Sequence, residues 1–97
     1  MKKYLFIDDL RIFNKINSYD LYIVRNYEEA ISILKINSFD VISFDHDLGE
    51  EKTGYDIAKY IVENGIKIKE GFKIHSANPV GKFNISQLLN HYGYKEL

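Results

Sequence analysis

Four short apolar runs divide the first three quarters of the chain, and each ends at a polar residue. They cover residues 4–7, 21–24, 41–44 and 72–74. Their length and their content of β-branched and aromatic residues are typical of strands. Apolar character is nearly continuous within each run, which indicates strands covered on both faces, as in a parallel sheet.

Helical patterns with recognisable ends separate these runs. The predicted N-caps are Asn26, Thr53 and Asn78, and the predicted closing glycines are Gly65 and Gly93. Glu29 follows Asn26 by three residues and Asp56 follows Thr53 by three, which is the spacing of a capping box. The first helix is predicted over residues 27–36. The third is predicted to begin with Pro79 and to place one group on its apolar face: Val80, Phe83, Leu88, Leu89 and Tyr92.

The resulting order is β-β-α-β-α-β-α, which predicts an α/β fold with right-handed crossovers. Residues 10–19 depart from this order, because about ten residues hold little more than a turn or two where a crossover helix should lie. Two explanations remain open, an antiparallel second strand or a first crossover helix that is reduced or absent. We favour the reduced crossover and a mostly parallel four-stranded sheet.

Composition supports one small domain over residues 1–97. The chain has 13 basic and 14 acidic residues, a net charge of -1 and no cysteine, so disulfides and cysteine-ligated zinc are excluded. The longest basic run is Lys2-Lys3, which argues against binding to long duplex nucleic acid. The apolar run after it is too short for a signal peptide or a membrane span. We therefore expect a cytoplasmic protein with no membrane partner.

Polar residues follow the strands at the edge where ligands bind in parallel sheets. The acidic ones are Asp8, Asp9, Asp45 and Asp47, joined by His46 and His75. Carboxylates gathered at one edge repel one another unless a cation compensates them, and oxygen ligands suit Mg²⁺ or Mn²⁺. We expect Asp8, Asp9 and Asp45 to hold that cation. Asp9 and Asp47 could instead cap loops, and His46 could be structural.

A second set of residues is suited to binding phosphate. Asn78, Gly81 and Lys82 open a helix beside the acidic edge, where free N–H groups and an ammonium can receive an anion. Arg11 offers a planar guanidinium, and Ser76 a hydroxyl. Ser76 and Asn78 could equally be turn and cap residues.

This arrangement resembles the receiver domain of two-component response regulators. Asp8-Asp9, Asp45 and Ser76 match the acidic pair, the phosphoacceptor and the hydroxyl residue of that domain, and Gly54 matches the glycine after the phosphoacceptor loop. Receivers also carry a first helix and a lysine at the end of a fifth strand, and this sequence departs from both.

A closer resemblance is to a family of small receiver-like domains named for cyclic-phosphate processing. Three segments carry it: Asp8-Asp9-Leu10-Arg11, then Asp45-His46-Asp47-Leu48-Gly49 with Lys52-Thr53-Gly54-Tyr55-Asp56, and His75-Ser76-Ala77-Asn78-Pro79-Val80-Gly81. The resemblance implies a flavodoxin-like, receiver-like three-layer sandwich with strand order 2-1-3-4. It also implies metal-assisted handling of a cyclic phosphate on a nucleotide or RNA end.

The leading hypothesis is a metal-assisted phosphodiesterase for such a substrate. In it, Asp47 or His46 positions the attacking water or a second metal, and His75 gives a proton to the leaving alkoxide. The groups expected to hold the phosphate oxygens are Arg11, Ser76, Asn78, Gly81 and Lys82.

Two alternatives use the same acidic edge. One is a non-catalytic binder that sequesters a cyclic nucleotide messenger. The other is a stand-alone receiver phosphorylated on Asp45, with Lys82 as the only nearby substitute for the missing lysine. The residues to examine for base stacking are Tyr55, Tyr92 and Tyr94.

Overall fold

The computed structural model describes residues 1–11 and 14–97. Its elements are β1 (Lys2–Ile7), β2 (Tyr19–Val24), α1 (Tyr27–Ile36), β3 (Phe39–Phe44), α2 (Gly54–Glu63), β4 (Ile68–Ile74) and α3 (Pro79–His91). The predicted order is confirmed, and α1 has the predicted bounds. Every strand begins earlier than its apolar run, because ladder pairing continues into polar residues that an apolar pattern does not mark.

The sheet has the order β2-β1-β3-β4, and all three pairings are parallel. The antiparallel alternative for β2 is therefore wrong. The last residues of the strands are in register, since Ile7 pairs with both Val24 and Phe44, and Phe44 pairs with Ile74. Whatever follows each strand consequently emerges at one edge of the sheet, hereafter the rim.

The main core lies on one face of the sheet and receives all three helices. Leu5, Ile7, Ile42 and Phe44 supply the sheet side, and the buried helix residues are Ala30, Leu34, Ile57, Ala58, Ile61, Ile85 and Leu89. Side chains alternate between the faces of a strand, so this single cluster places α1, α2 and α3 on the same face. The flavodoxin-like α/β class and the strand order are as predicted.

The opposite face carries a smaller cluster of Tyr4, Phe6 and Val41. Ile16, from the connection between β1 and β2, packs against it. No helix occurs in residues 8–11 or 14–18, in agreement with a reduced first crossover; residues 12 and 13 lie outside the described part of the chain. Among the described residues, the third layer is therefore an irregular segment.

The helix starts follow the sequence. The Asn26 side chain accepts a hydrogen bond from the Glu29 N–H, Thr53 and Asp56 form a capping box, and the Asn78 side chain accepts from the Gly81 N–H. These caps satisfy N–H groups that a helix start otherwise leaves without partners.

The predicted apolar face of α3 is wrong in part. Val80, Phe83 and Tyr92 are exposed, at 67%, 62% and 58%. The buried residues are instead Gly81, Ile85 and Leu89. Apolar residues surround this helix, so their spacing does not determine which side faces the sheet.

After α3 the chain returns along the outer edge of β4. The Phe72 N–H donates to the Lys95 carbonyl at 2.8 Å, and the Leu97 N–H donates to the Phe72 carbonyl at 2.9 Å. Gly71 permits this approach, because a Cβ there would lie 2.3 Å from the Lys95 oxygen and its φ of +153° favours glycine. Phe72 and Glu96 thus form an isolated parallel bridge. Within the described residues, no helix is long and apolar enough to cross a membrane.

Candidate functional site

Three residues that begin the rim are held in place by the sheet itself. The N–H groups of Asp8, Asp45 and His75 donate to the carbonyls of Val24, Ile7 and Phe44, respectively, at 3.1, 3.0 and 2.9 Å. Ladder pairing thus continues one residue beyond each strand. This fixes the backbone of all three residues, and their ligand atoms lie within 4.8 Å of one another.

Asp8 is almost fully buried, at 1% exposure. Its Oδ1 accepts hydrogen bonds from the N–H groups of Leu10 and Arg11, at 2.9 and 2.8 Å, and its Oδ2 lies 3.0 Å from His75 Nε2. Burial opposes ionisation, but the backbone donors and His75 outweigh it and lower the pKa of Asp8. The side chain is therefore a carboxylate at neutral pH.

His75 is held on both nitrogens and on one ring face. Its Nδ1 lies 2.7 Å from Ser43 Oγ, and its ring stacks on Phe6 with centroids 4.3 Å apart. Burial lowers the pKa of His75 despite the neighbouring carboxylates. Because ionised Asp8 can only accept, the neutral imidazole carries its proton on Nε2, and Nδ1 accepts from the Ser43 hydroxyl. Tyr4 is hydrogen-bonded to the same hydroxyl.

Asp45 has the opposite electrostatic character from Asp8. Burial and the charge of Asp8 raise its pKa, and His75 together with the backbone N–H groups of His46 and Asp47 offsets this only in part. A half-buried carboxylate beside another carboxylate is a group that a bound cation would stabilise. The two carboxylates fit Mg²⁺ or Mn²⁺ completed by water, and an imidazole ligand beside them would favour Mn²⁺ over Mg²⁺.

Asp9, which we expected to hold the cation together with Asp8 and Asp45, lies apart from these two residues. It lines the rim cleft but does not belong to the group formed by Asp8, Asp45 and His75. Its Oδ2 lies against Gly49, where a Cβ would approach to 2.9 Å, and Gly49 has a φ of +69°. Among the described residues the structure therefore brings His75, instead of Asp9, to Asp8 and Asp45.

The cleft at the rim has a volume of about 420 Å³. Its lining residues are Asp8, Asp9, Leu10, Arg11, Asp45, Asp47, Gly49 and Ala77. Arg11 is 58% exposed along its side chain, and its Nε lies 3.7 Å from Asp8 Oδ2. It is thus the cation available to an anionic ligand in this cleft.

His46 and Asp47 form a second hydrogen-bonded group. His46 Nδ1 lies 2.9 Å from Asp47 Oδ1, and Asn78 Nδ2 donates to Asp47 Oδ2 at 3.3 Å. The bond with His46 lowers the pKa of Asp47. The His46 ring lies against Gly81, where a Cβ would come within 2.3 Å of Cγ. His46 therefore packs between the β3–α2 loop and α3 while it holds Asp47 at the cleft.

The expected phosphate contacts are only partly assembled. Ser76 Oγ accepts from the Asn78 N–H at 3.0 Å, and the Gly81 N–H is already capped by Asn78. Lys82 lines a separate cavity with Pro79 and Phe83, away from the cleft. Ser76, Asn78 and Gly81 thus shape the start of α3, and of the expected phosphate-binding set Arg11 alone lines the cleft.

Two residues important to the rim were not predicted. Ser43 lies within the apolar run of β3, and its buried hydroxyl orients His75. Arg25 follows β2, and its Nη1 donates to the carbonyls of Asp8 and Arg11. Two features of the sequence could have indicated these roles. Arg25 directly follows a strand at the carboxyl edge of the sheet, and Ser43 is a polar residue within a buried strand.

The fold and rim define a receiver-like domain, and solved structures agree. A response regulator from Burkholderia pseudomallei, whose crystal structure contains a phosphorylated aspartic acid, a calcium ion and citrate, matches with a TM-score of 0.70 at 16% identity. The match covers 99% of this chain and 58% of that one. The signal receiver domain of a protein described as a Luxo repressor, from Vibrio parahaemolyticus, gives 0.68 at 17% identity, over 98% and 75% of the two chains.

The family model of the cyclic-phosphate processing receiver domain matches residues 3–91. The chain belongs to this family, as the motifs at the three strand ends predicted. A comparison with curated protein sequences finds no match.

Proposed function

We propose that this domain is a cation-dependent phosphodiesterase that opens a cyclic phosphate on a nucleotide or RNA end. The observation that carries the proposal is the group of Asp8, Asp45 and His75, with ligand atoms within 4.8 Å, next to Arg11 in one cleft. An acidic cation site beside a guanidinium suits a phosphate ester, because the cation and Arg11 can share its oxygens. The family name supports the choice of a cyclic phosphate.

Asp8 and Asp45 are the residues that would hold the cation, and His75 Nε2 would join them only after its proton moves to Nδ1, where Ser43 Oγ can accept it. A bound divalent cation supplies Lewis-acid polarisation of phosphate and of a water nucleophile. Arg11 contributes a second positive charge, and the buried position of Asp8 keeps the Arg11 backbone close to the rim through the hydrogen bond to its N–H. The chain itself thus binds and orients the substrate.

Proton transfer is assigned to Asp47, which is 64% exposed along its side chain and lines the cleft. Water adds to phosphorus and gives its proton to Asp47. The bond between phosphorus and the ribose oxygen then breaks, and that oxygen takes the proton back, which leaves a phosphate monoester. His46 and Asn78 hold the Asp47 carboxylate in position.

The hydrogen bonds of His75 favour a positioning role over the expected role of proton donor. Its Nε2 proton is directed at Asp8 Oδ2, 3.0 Å away, and its Nδ1 is occupied by Ser43. A proton engaged with a buried carboxylate is poorly placed to reach a leaving group in the open cleft.

Incubation with Mn²⁺ or Mg²⁺ and a panel of 2′,3′-cyclic and 3′,5′-cyclic nucleotides tests the proposal. We expect a linear monoester product that requires the cation and is lost in Asp45→Asn. The matched control is Asp20→Asn, an exposed aspartate at the start of β2 and far from the rim. Absence of product with every substrate and either cation would rule out the proposed reaction.

A second candidate is a phosphorylation switch at Asp45. The fold likeness to response regulators supports it, and one of those structures holds a phosphorylated aspartic acid and a calcium ion. The placement of Lys82 in another cavity weighs against it, since the lysine expected to assist is not at the cleft. Beryllofluoride with Mg²⁺ should shift the spectrum of the wild type and leave Asp45→Asn unchanged if this candidate is right.

A further inference from the structure

A cavity at the edge of the sheet opposite the rim carries a concentration of positive charge. Its volume is about 490 Å³, within the range of small-molecule sites. Three lysines line it, Lys67 and Lys69 at the start of β4 and Lys95 in the segment after α3. Among the described residues it shares no lining residue with the rim cleft. This basic cavity has no role in the chemistry above.

The three ammonium groups of the basic cavity are available to an anion. Lys67, Lys69 and Lys95 are all exposed, and within the described residues none of their side chains forms an ion pair or a hydrogen bond. The chain as a whole has a net charge of -1. Three unpaired cations around one cavity therefore create a local positive potential that attracts anions.

The acidic side chains near the basic cavity are engaged elsewhere. Glu70 lines the cavity, but its Oε2 lies 2.6 Å from Lys2 Nζ and its Oε1 accepts from the Tyr19 hydroxyl at 2.7 Å. Glu96 is turned toward α3, where its Oε1 accepts from Ser86 Oγ at 2.6 Å. The charge of the lysines is therefore not cancelled by these two carboxylates.

Two tyrosines give the basic cavity an aromatic side. Tyr92 is 58% exposed, and its ring meets the His91 ring edge to face with centroids 5.0 Å apart. Tyr94 is fixed in place, because its hydroxyl donates to the Ile66 carbonyl. Aromatic rings beside cations form a surface on which unpaired bases stack while lysines hold the backbone phosphates. The bases of a duplex are already stacked on one another, so a duplex cannot use these rings.

Hydrogen bonds between distant parts of the chain hold the basic cavity together. The Phe72 N–H donates to the Lys95 carbonyl at 2.8 Å, and the Tyr94 N–H donates to the Leu89 carbonyl at 3.0 Å. The second bond also occupies a carbonyl at the negative end of α3, which would otherwise oppose an anion. The lysines and the rings are therefore presented by a backbone that is tied to both β4 and α3.

We propose that the basic cavity binds single-stranded nucleic acid. Lys67, Lys69 and Lys95 contact backbone phosphates, and Tyr92 stacks against a base. Three phosphate contacts and one stacking ring suit a short single strand rather than a long duplex. The inference is independent of the proposed function, because this site needs neither a divalent cation nor a cyclic phosphate.

Fluorescence anisotropy of a labelled single strand mixed with the full chain measures the binding. The strand has about eight nucleotides and a free 3′ hydroxyl, and a chelator removes divalent cations, so that the rim is offered neither a cation nor a cyclic phosphate. A single strand contributes about -0.7 per neutralised phosphate to the slope of log affinity against log salt concentration. Three lysines therefore predict a slope of about -2, which is a loss of about twenty-fold between about 50 and 200 mM salt.

Lysine variants measure the phosphate contacts. Lys67→Gln, Lys69→Gln and Lys95→Gln should each make the salt slope shallower by about 0.7. Lys35→Gln is the matched control, because Lys35 is an exposed lysine in the last turn of α1 and outside the cavity. It should leave both affinity and slope unchanged.

A tyrosine variant measures the stacking contact. Tyr92→Ala should weaken binding roughly five-fold or more and leave the salt slope unchanged, because it removes no charge. Phe83→Ala is the matched control, since Phe83 is an equally exposed aromatic residue on α3 outside the cavity. Tyr92 is exposed, so its replacement leaves the core intact.

The outcomes separate this inference from the proposed function. Asp45→Asn should bind the strand as the wild type does, and a loss of binding in that variant would place the strand at the rim and overturn the inference. Equal affinity for polyglutamate, or for a duplex of the same length, would overturn it as well, because a patch of charge alone would explain the binding. No binding at about 50 mM salt would overturn the inference and leave the proposed hydrolysis untouched.

Discussion

His75 donates its Nε2 proton to the buried carboxylate of Asp8, across a distance of 3.0 Å. The two residues follow β4 and β1, which are separated in the sheet by β3. Their contact therefore spans the rim and passes over the backbone that leads to Asp45. This is the physical basis for treating the three strand ends as one site.

Ser43→Ala should destabilise the domain by about 1–3 kcal/mol, because it leaves His75 Nδ1 and the Tyr4 hydroxyl without their shared partner in a buried setting. Urea denaturation measures the change. Ser38→Ala, at an exposed position, is the control and should change stability by less than about 0.5 kcal/mol. An equal effect in both variants would show that the Ser43 hydroxyl does not support the site.

Gly81→Ala should destabilise the wild type, because the new Cβ would meet the His46 ring at 2.3 Å. The three nearest atoms it would meet belong to that ring, so the cost should fall sharply in a His46→Ala background. A double-mutant cycle on thermal unfolding measures this coupling. If the two substitutions are simply additive, the contact between His46 and Gly81 is not present in solution.

Stability should fall as the pH drops below 6.5 when no divalent cation is present. The pKa of His75 in the folded protein lies below its ordinary value of 6.5. Between these two pKa values the unfolded chain binds a proton at His75 that the folded protein does not, and this stabilises the unfolded state. The loss should level off below the folded pKa of His75. His75→Gln should flatten this part of the profile, and an unchanged profile would contradict the assignment.

Arg25→Met should weaken Mn²⁺ binding roughly ten-fold, the scale on which residues behind metal ligands act. Arg25 Nη1 donates to the carbonyl of Asp8 at 3.0 Å and also to that of Arg11, and so orders the turn that presents both side chains. Titration of Mn²⁺ by electron paramagnetic resonance measures the affinity. Lys35→Met, in the last turn of α1, provides a control that should leave it unchanged.

The sequence predicted the sheet, the caps and the family because these depend on local signals. Apolar runs that end at Asp8, Asp45 and His75 identify buried strands and their carboxyl edge. The same logic failed for Lys82, because a position near a helix start does not tell which side of the helix a long side chain occupies. It also missed Ser43, because the role of this hydroxyl depends on its hydrogen bond to His75, which follows the neighbouring strand β4.

Hydrolysis at the rim can be followed by phosphorus nuclear magnetic resonance of adenosine 2′,3′-cyclic phosphate mixed with the protein and Mg²⁺. We expect the signal of the cyclic phosphate to be replaced by that of a monoester, and we expect Asp45→Asn and chelation of the cation each to prevent this change. A cyclic signal that shifts on binding but never converts would contradict hydrolysis and indicate sequestration of the nucleotide instead.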